Sequence, residues 1–88
     1  MTQNESEIQI CCAQYNAAGI MIRARLLAQP EGIGAQYVIA LEQEGELTVC
    51  HIGSSMQAAR EIFLRVVFGG VTACTLTDVV EDYMGTIF

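Results

Sequence analysis

The stretch that most constrains this chain runs from Ser54 to Met84, where a capped amphipathic helix, a glycine stop and a second, acidic helix follow one another. Ala59, Ile62, Phe63, Val66 and Val67 recur at i, i+3, i+4, i+7 and i+8, a spacing that gathers apolar side chains into one stripe on a 3.6-residue period. Gln57, Arg60, Glu61 and Arg65 fall mostly on the other side, and Glu61 to Arg65 is an i,i+4 pair in the favourable order. The start is marked by Ser54 or Ser55, and Ser54 with Gln57 three places on has the form of a capping box. Gly69 and Gly70 follow the last periodic turn, where a left-handed residue costs glycine least. The spacing predicts a helix over Met56 to Phe68, about 20 Å long at 1.5 Å per residue.

Thr75 opens a shorter pattern, with Asp78 three residues on as a capping partner and Leu76, Val79, Val80 and Tyr83 spaced as one apolar face. The opposite face is acidic. Asp78 lies in the first turn, where the helix dipole favours negative charge, whereas Glu81 and Asp82 lie towards the end that disfavours it. A solvated face in an acidic protein is the ordinary meaning of such a pattern. Its functional meaning is a contact surface, Asp78, Glu81 and Asp82, for a partner carrying a basic patch.

The first half of the chain reads as extended, preceded by a flexible polar N-terminus, residues 1–7. Ile8, Ile10 and Cys12 alternate with Gln9, Cys11 and Ala13; Ile20, Ile22, Ala24 and Leu26 alternate with Met21, Arg23, Arg25 and Leu27, with Asn16 to Gly19 as the turn between. The second of these segments also has the alanine, leucine, methionine and arginine content of a helix with Asn16 as its cap, but the two-residue period fits better and a strand is expected. Pro30, Glu31, Gly32 and Gly34 read as a loop. Tyr37 to Glu42 and Glu46 to Ile52 form a hairpin joined by Gln43, Glu44 and Gly45. Strands of about six residues span about 20 Å, so the Met56 to Phe68 helix can lie along them. The expected fold is therefore α+β, a single domain over residues 8–88: an antiparallel meander of three or four strands followed by two helices packed on one face.

That arrangement leaves a second sheet face to explain. Leu47 and Val49 are expected to face the helix while Thr48 and Cys50 face away, yet Val38, Ala40 and Ile52 place apolar atoms on the alternate parity. Strands apolar on both sides in a small antiparallel sheet point to a second copy covering the outer face or extending an edge. Composition points the same way. Hydrophobic residues make up 52% of the 88 residues before the 8 glycines are added, and charged residues 16%. A small domain has a large surface fraction, so this excess apolar surface predicts a homodimer or a constitutive protein partner.

The formal charge of -6, with only four basic residues, all arginine, argues against nucleic acid and against anionic membrane surfaces. Val66 to Thr77, the longest uncharged run of the C-terminal region, falls short of the roughly 20 residues that span a bilayer. The polar, acidic start is unlike a signal peptide, so a cytoplasmic location with reduced thiols is expected.

Cys11, Cys12, Cys50 and Cys74 include no C-x-x-C pair and match no standard zinc spacing. Neighbours on a strand point to opposite faces, which separates Cys11 from Cys12 and Cys50 from His51. The cysteines therefore read as small packing residues, and the sole histidine, His51, as a strand-end residue. A metal or thiol-redox protein that uses the four cysteines and His51 remains the alternative function. An enzyme is not expected: the chain has no lysine, no oriented nucleophile and base, and no glycine-rich phosphate loop preceding a helix.

Tyr37-Val38-Ile39, the strand ending Cys50-His51-Ile52-Gly53-Ser54, and Val71-Thr72 followed by Leu76-x-Asp78-Val79-Val80-Glu81-Asp82-Tyr83 resemble a family of short domains of unknown function found mainly in anaerobic Gram-positive bacteria. Its members show a Tyr-Gly-Ile strand, then Val-Thr-Pro and a Leu-x-Asp-Val-Val-Glu-Asp tail. The chain departs in having Val38 for the glycine and Ala73 for the proline, and the resemblance covers Tyr37 to Met84. It implies the same strand and helix layout and brings no activity. The function expected is thus a small intracellular interaction or regulatory module, acting as a homodimer or subunit, without a cofactor.

Overall fold

Three two-residue turns organise the first half of the chain in the computed structural model, which describes residues 7–87. They join four strands, β1 (Ile8–Ala17), β2 (Ile20–Glu31), β3 (Gly34–Gln43) and β4 (Glu46–Gly53), into one antiparallel sheet of order β1-β2-β3-β4. Ala18 and Gly19 have φ of 54° and 81°, and Glu44 and Gly45 repeat the same values. Positive φ at both central residues matches the right-handed strand twist, which is why these hairpins close in two residues. The loop expected over Gln43 to Gly45 therefore shortens to Glu44-Gly45, and the one expected from Pro30 to Gly34 to Gly32-Ile33. Pro30 lies inside β2, paired with Ala35. The pairing of β1 with β2 ends at Ile8 and Ala28, so β2 has one free side at Pro30, where a missing N–H costs little.

The helices follow the sheet: α1 (Met56–Phe68), a 3₁₀ turn (Ala73–Thr75) and α2 (Leu76–Ile87). Ser55, rather than Ser54, caps α1, its hydroxyl accepting from Ala58 N at 3.2 Å. The helix ends in a Schellman motif. Val71 N donates to Val66 O at 3.1 Å and Gly70 N to Val67 O at 3.3 Å, with left-handed Gly70 at φ 62° between them. Thr75 closes the 3₁₀ turn instead of opening α2, donating from its N to Thr72 O.

Both helices cover the same sheet face. Ile22, Ala24 and Leu26 of β2, Ile39 and Leu41 of β3 and Ile52 of β4 pack against Ala59, Ile62, Phe63 and Val66 of α1 and Leu76 and Val80 of α2. The apolar stripes expected on both helices are thus the buried ones. Two strand faces differ from expectation. In β4 it is Cys50 and Ile52 that join the core, while Leu47 and Val49 are exposed on the other face. The register decides this, because Cys50 pairs with core Ile39 and Thr48 with core Leu41. In β1 an irregularity between Gln9 and Cys11 shifts the parity, so Ile10 and Cys11 both lean on the core and Cys12 is exposed. Of the N-terminal tail expected to be flexible, residues 1–6 lie outside the described residues. Glu7 accepts a hydrogen bond from Gln29 Nε2 at 2.8 Å.

Candidate functional site

The face of the sheet opposite the helices is bare. Pairing places its side chains in three rows that cross all four strands: Gln14-Arg23-Glu42-Leu47, Cys12-Arg25-Ala40-Val49 and Gln9-Leu27-Val38-His51. The centre is sealed by its own neighbours, since Val38 and Ala40 keep only 1% and 2% exposure without a second layer above them. The periphery is not: Leu47 is 58% exposed, Met21 56% and Val49 48%. Half-wetted apolar groups on β2 and β4, on either side of a sealed centre, are what a second layer over such a sheet would cover.

Charge on this face is sparse and uneven. Arg23 pairs with Glu42 across β2 and β3 at 3.7 Å. Arg25, one row along, makes no ion pair or hydrogen bond among the described residues, and its Nε is buried without an acceptor. An unpaired cation with a buried donor is costly to leave so. Shallow hollows lie along the face, one lined by Gln29, Pro30, Gln36 and His51, another by Gln9, Cys12, Ala13, Gln14, Arg23 and Arg25. Neither brings a nucleophile to a base.

Asp78, Glu81 and Asp82 are exposed on α2, as their spacing requires. Glu81 also acts inward. The Cys50 thiol is pushed above its ordinary pKa by burial, and the Glu81 charge adds to this while a hydrogen bond with Thr77 opposes it. Burial and the Glu81 charge thus both favour the neutral thiol over the thiolate at Cys50.

Two further contacts fix the helices to the sheet. Tyr15 donates from its hydroxyl to Val71 O at 2.7 Å, and burial raises its pKa. Gln43 Oε1 accepts from Ala73 N at 3.0 Å, which gives the 3₁₀ turn the acceptor it lacks from a side-chain cap. Tyr83 of α2 donates to Glu61 of α1 and lies under the Arg65 guanidinium, 4.8 Å from the ring centroid. The Glu61 hydrogen bond is the main reason its pKa is raised. Sequence reasoning missed these links, although Tyr15 and Gln43 are core-parity residues on strands and so were placed to reach the helix layer. A second apolar strip, Met56, Leu64 and Phe68, runs at multiples of four residues along the outer side of α1.

The four cysteines are free thiols and do not meet. Cys50 faces the helices and exposed His51 the bare side, as strand geometry demands. Cys12 is exposed on that bare face as well, and Cys74 lies in the 3₁₀ turn. Among the described residues, no three His, Cys, Asp or Glu side chains come together in a way that would hold a metal ion. No helix among them is long and apolar enough to cross a membrane. Comparison with known proteins finds no matching family model, no matching curated protein and no matching solved structure.

Proposed function

We propose that this chain is a small non-enzymatic interaction or regulatory module that acts as a homodimer or as a subunit, with the bare sheet face as its principal contact. One observation carries the reading: Met21, Leu47 and Val49 stand about half exposed on one side of an otherwise continuous sheet. Covering the remaining surface of each contributes about 1 to 2 kcal/mol at roughly 25 cal/mol per Å² of apolar area, and in a twofold pair each residue counts twice. The acidic side of α2, with Asp78, Glu81 and Asp82, is a second contact, suited to a partner with a basic patch. No chemistry enters this reading: Cys50 and the sole histidine, His51, are neighbours on β4 that point to opposite sides of the sheet, so they are not set up as nucleophile and base. Separate, unpaired thiols suit a reducing cytoplasm. Membership of the bacterial family that Tyr37 to Met84 resembles belongs to the same proposal and adds no activity.

Light scattering across micromolar concentrations, with a hydrophobic dye as a parallel probe, tests the main contact. The expected result is a mass that rises to that of a dimer while dye binding per chain falls. A monomer at every concentration that binds no dye would remove the reading. The α2 contact is tested separately by affinity capture with an Asp78→Asn, Glu81→Gln, Asp82→Asn variant. Recovery of the same partners as the unaltered chain would show that this face is not a contact.

A further inference from the structure

We propose that the occupant of the bare face is a second copy of this chain, stacked face to face about a twofold axis that runs parallel to the strands between β2 and β3. The inference rests on the reading of that face as a contact and specifies its partner and geometry. Charge selects the axis. A twofold parallel to the strands keeps each residue in its row and exchanges β2 with β3 and β1 with β4. It sets Arg23 against the partner's Glu42, Leu27 against the partner's Val38, Arg25 against the partner's Ala40 and Cys12 against the partner's Val49. Each copy then offers its cations on β2 to the other copy's carboxylate on β3.

The alternative axis, perpendicular to the strands and centred on the middle row, lays every strand on its own copy. It brings Arg25 onto the partner's Arg25 and leaves Arg23 against Leu27 and Glu42 against Val38 of the partner. Like charges meet and the others face apolar groups, which disfavours this stacking. The parallel axis also answers the unpaired Arg25. Residues two apart on a strand are separated by about 7 Å, so the partner's Glu42 lies diagonally within reach of Arg25 as well as opposite Arg23. Arg23 and Glu42 have side chains 51% and 44% exposed, so both remain available across an interface despite their pairing within the chain.

Area is sufficient. Four strands at about 4.8 Å spacing and about 33 Å long give a face of roughly 600 Å² per copy, or about 1,200 Å² for the pair, the lower end of specific interfaces. The slab-like extents of 40 × 37 × 17 Å accord with half of a four-layer assembly.

The test uses sedimentation velocity on Arg23→Glu, on Glu42→Arg and on their equimolar mixture. In the homodimer of either variant, positions 23 and 42 carry the same charge and repel across the axis. In a mixed dimer both crossings are complementary. The expected result is that each variant alone dimerises more weakly than the unaltered chain by roughly tenfold or more, and that the mixture regains dimer. Circular dichroism and thermal unfolding of each variant show that the folds survive, and the mixture supplies the internal control. If the pair acts only within the chain, mixing restores nothing, and the proposed axis is wrong. Variants that dimerise as well as the unaltered chain overturn the geometry while leaving the bare face as a contact. An unaltered chain that is monomeric throughout overturns both, and leaves a different protein as the occupant.

Discussion

Arg25→Met is expected to stabilise the fold, an unusual direction for a substitution that removes a charge from a folded protein. Arg25 lies in β2 opposite Ala40 on one side and Cys12 on the other, and its Nε is buried with no acceptor. An unsatisfied buried donor costs about 1 to 3 kcal/mol, and more where it belongs to a charged group. The rest of Arg25 is only partly buried, so the guanidinium keeps some solvent and the lower end applies, about 1 kcal/mol. Methionine retains a straight apolar stem of similar reach and forfeits little packing. The net gain is about 1 kcal/mol, or roughly 4 to 8 °C in Tm for a domain of this size. Urea unfolding followed by circular dichroism at fixed low concentration, where association contributes little, measures it through the midpoint at constant slope. A loss of 1 kcal/mol or more would refute the reasoning, because it would mean that the Arg25 head group makes a favourable interaction that outweighs its buried nitrogen. Arg25→Lys is the companion variant: it keeps the charge, removes the Nε donor and is expected to fall between the two.

Tyr15→Phe deletes the hydroxyl that satisfies Val71 O and is expected to cost about 1 to 2 kcal/mol in the same assay, with no change in secondary structure. Stability is expected to fall as pH rises above about 9. Cys50 has a folded pKa raised above its ordinary value of 9.0, and Tyr15 and Tyr83 above their ordinary 10.0, so the native state holds protons that the unfolded chain releases first. Their contribution is full below the unfolded values and is lost through the folded ones; a flat stability curve from pH 8 to pH 11 would contradict it. Thiol labelling at pH 7.5 should modify exposed Cys12 and Cys74 well before Cys50, which is half-buried against the helices and has its pKa raised. Mass mapping of the sites reads the order, and early labelling of Cys50 would count against the packing described.

The parts of this fold that the sequence reveals are those where one physical signal acts alone. The Met56–Phe68 helix is bounded by a serine and a pair of glycines and has one clean apolar stripe, so its limits coincide with expectation. Ile22, Ala24 and Leu26 alternate with arginines in β2, and the buried set follows directly. The β4 strand offers no such contrast, because Leu47 and Val49 on one face are as apolar as Cys50 and Ile52 on the other. Which pair is covered depends on the register with β3 and on where α1 docks, both of which are properties of the assembled sheet. The β1 irregularity at Ile10 is hidden for a related reason, since a bulge shifts parity without a glycine or proline to announce it. For the candidate contact, the sequence already implied that both sheet faces are partly apolar. It placed Leu47 and Val49 under the helix, the reverse of where they lie, and did not foresee that the Arg25 Nε would be buried beside them without an acceptor among the described residues. Asp78, Glu81 and Asp82 are exposed as expected, but the influence of Glu81 on the Cys50 thiol needs the packing of α2 against β4.

The bare face of the sheet is the proposed contact, and Val49→Asp tests it most directly. Val49 is 48% exposed there, so a carboxylate at this position remains wetted in the monomer and changes its unfolding by about 1 kcal/mol or less. In a face-to-face pair the same carboxylate is buried twice over, at a cost of several kcal/mol per ion. Sedimentation equilibrium of the two proteins side by side is expected to give a dimer for the unaltered chain and a folded monomer for Val49→Asp. Dimers of equal strength in both, or a monomer for the unaltered chain, would contradict it.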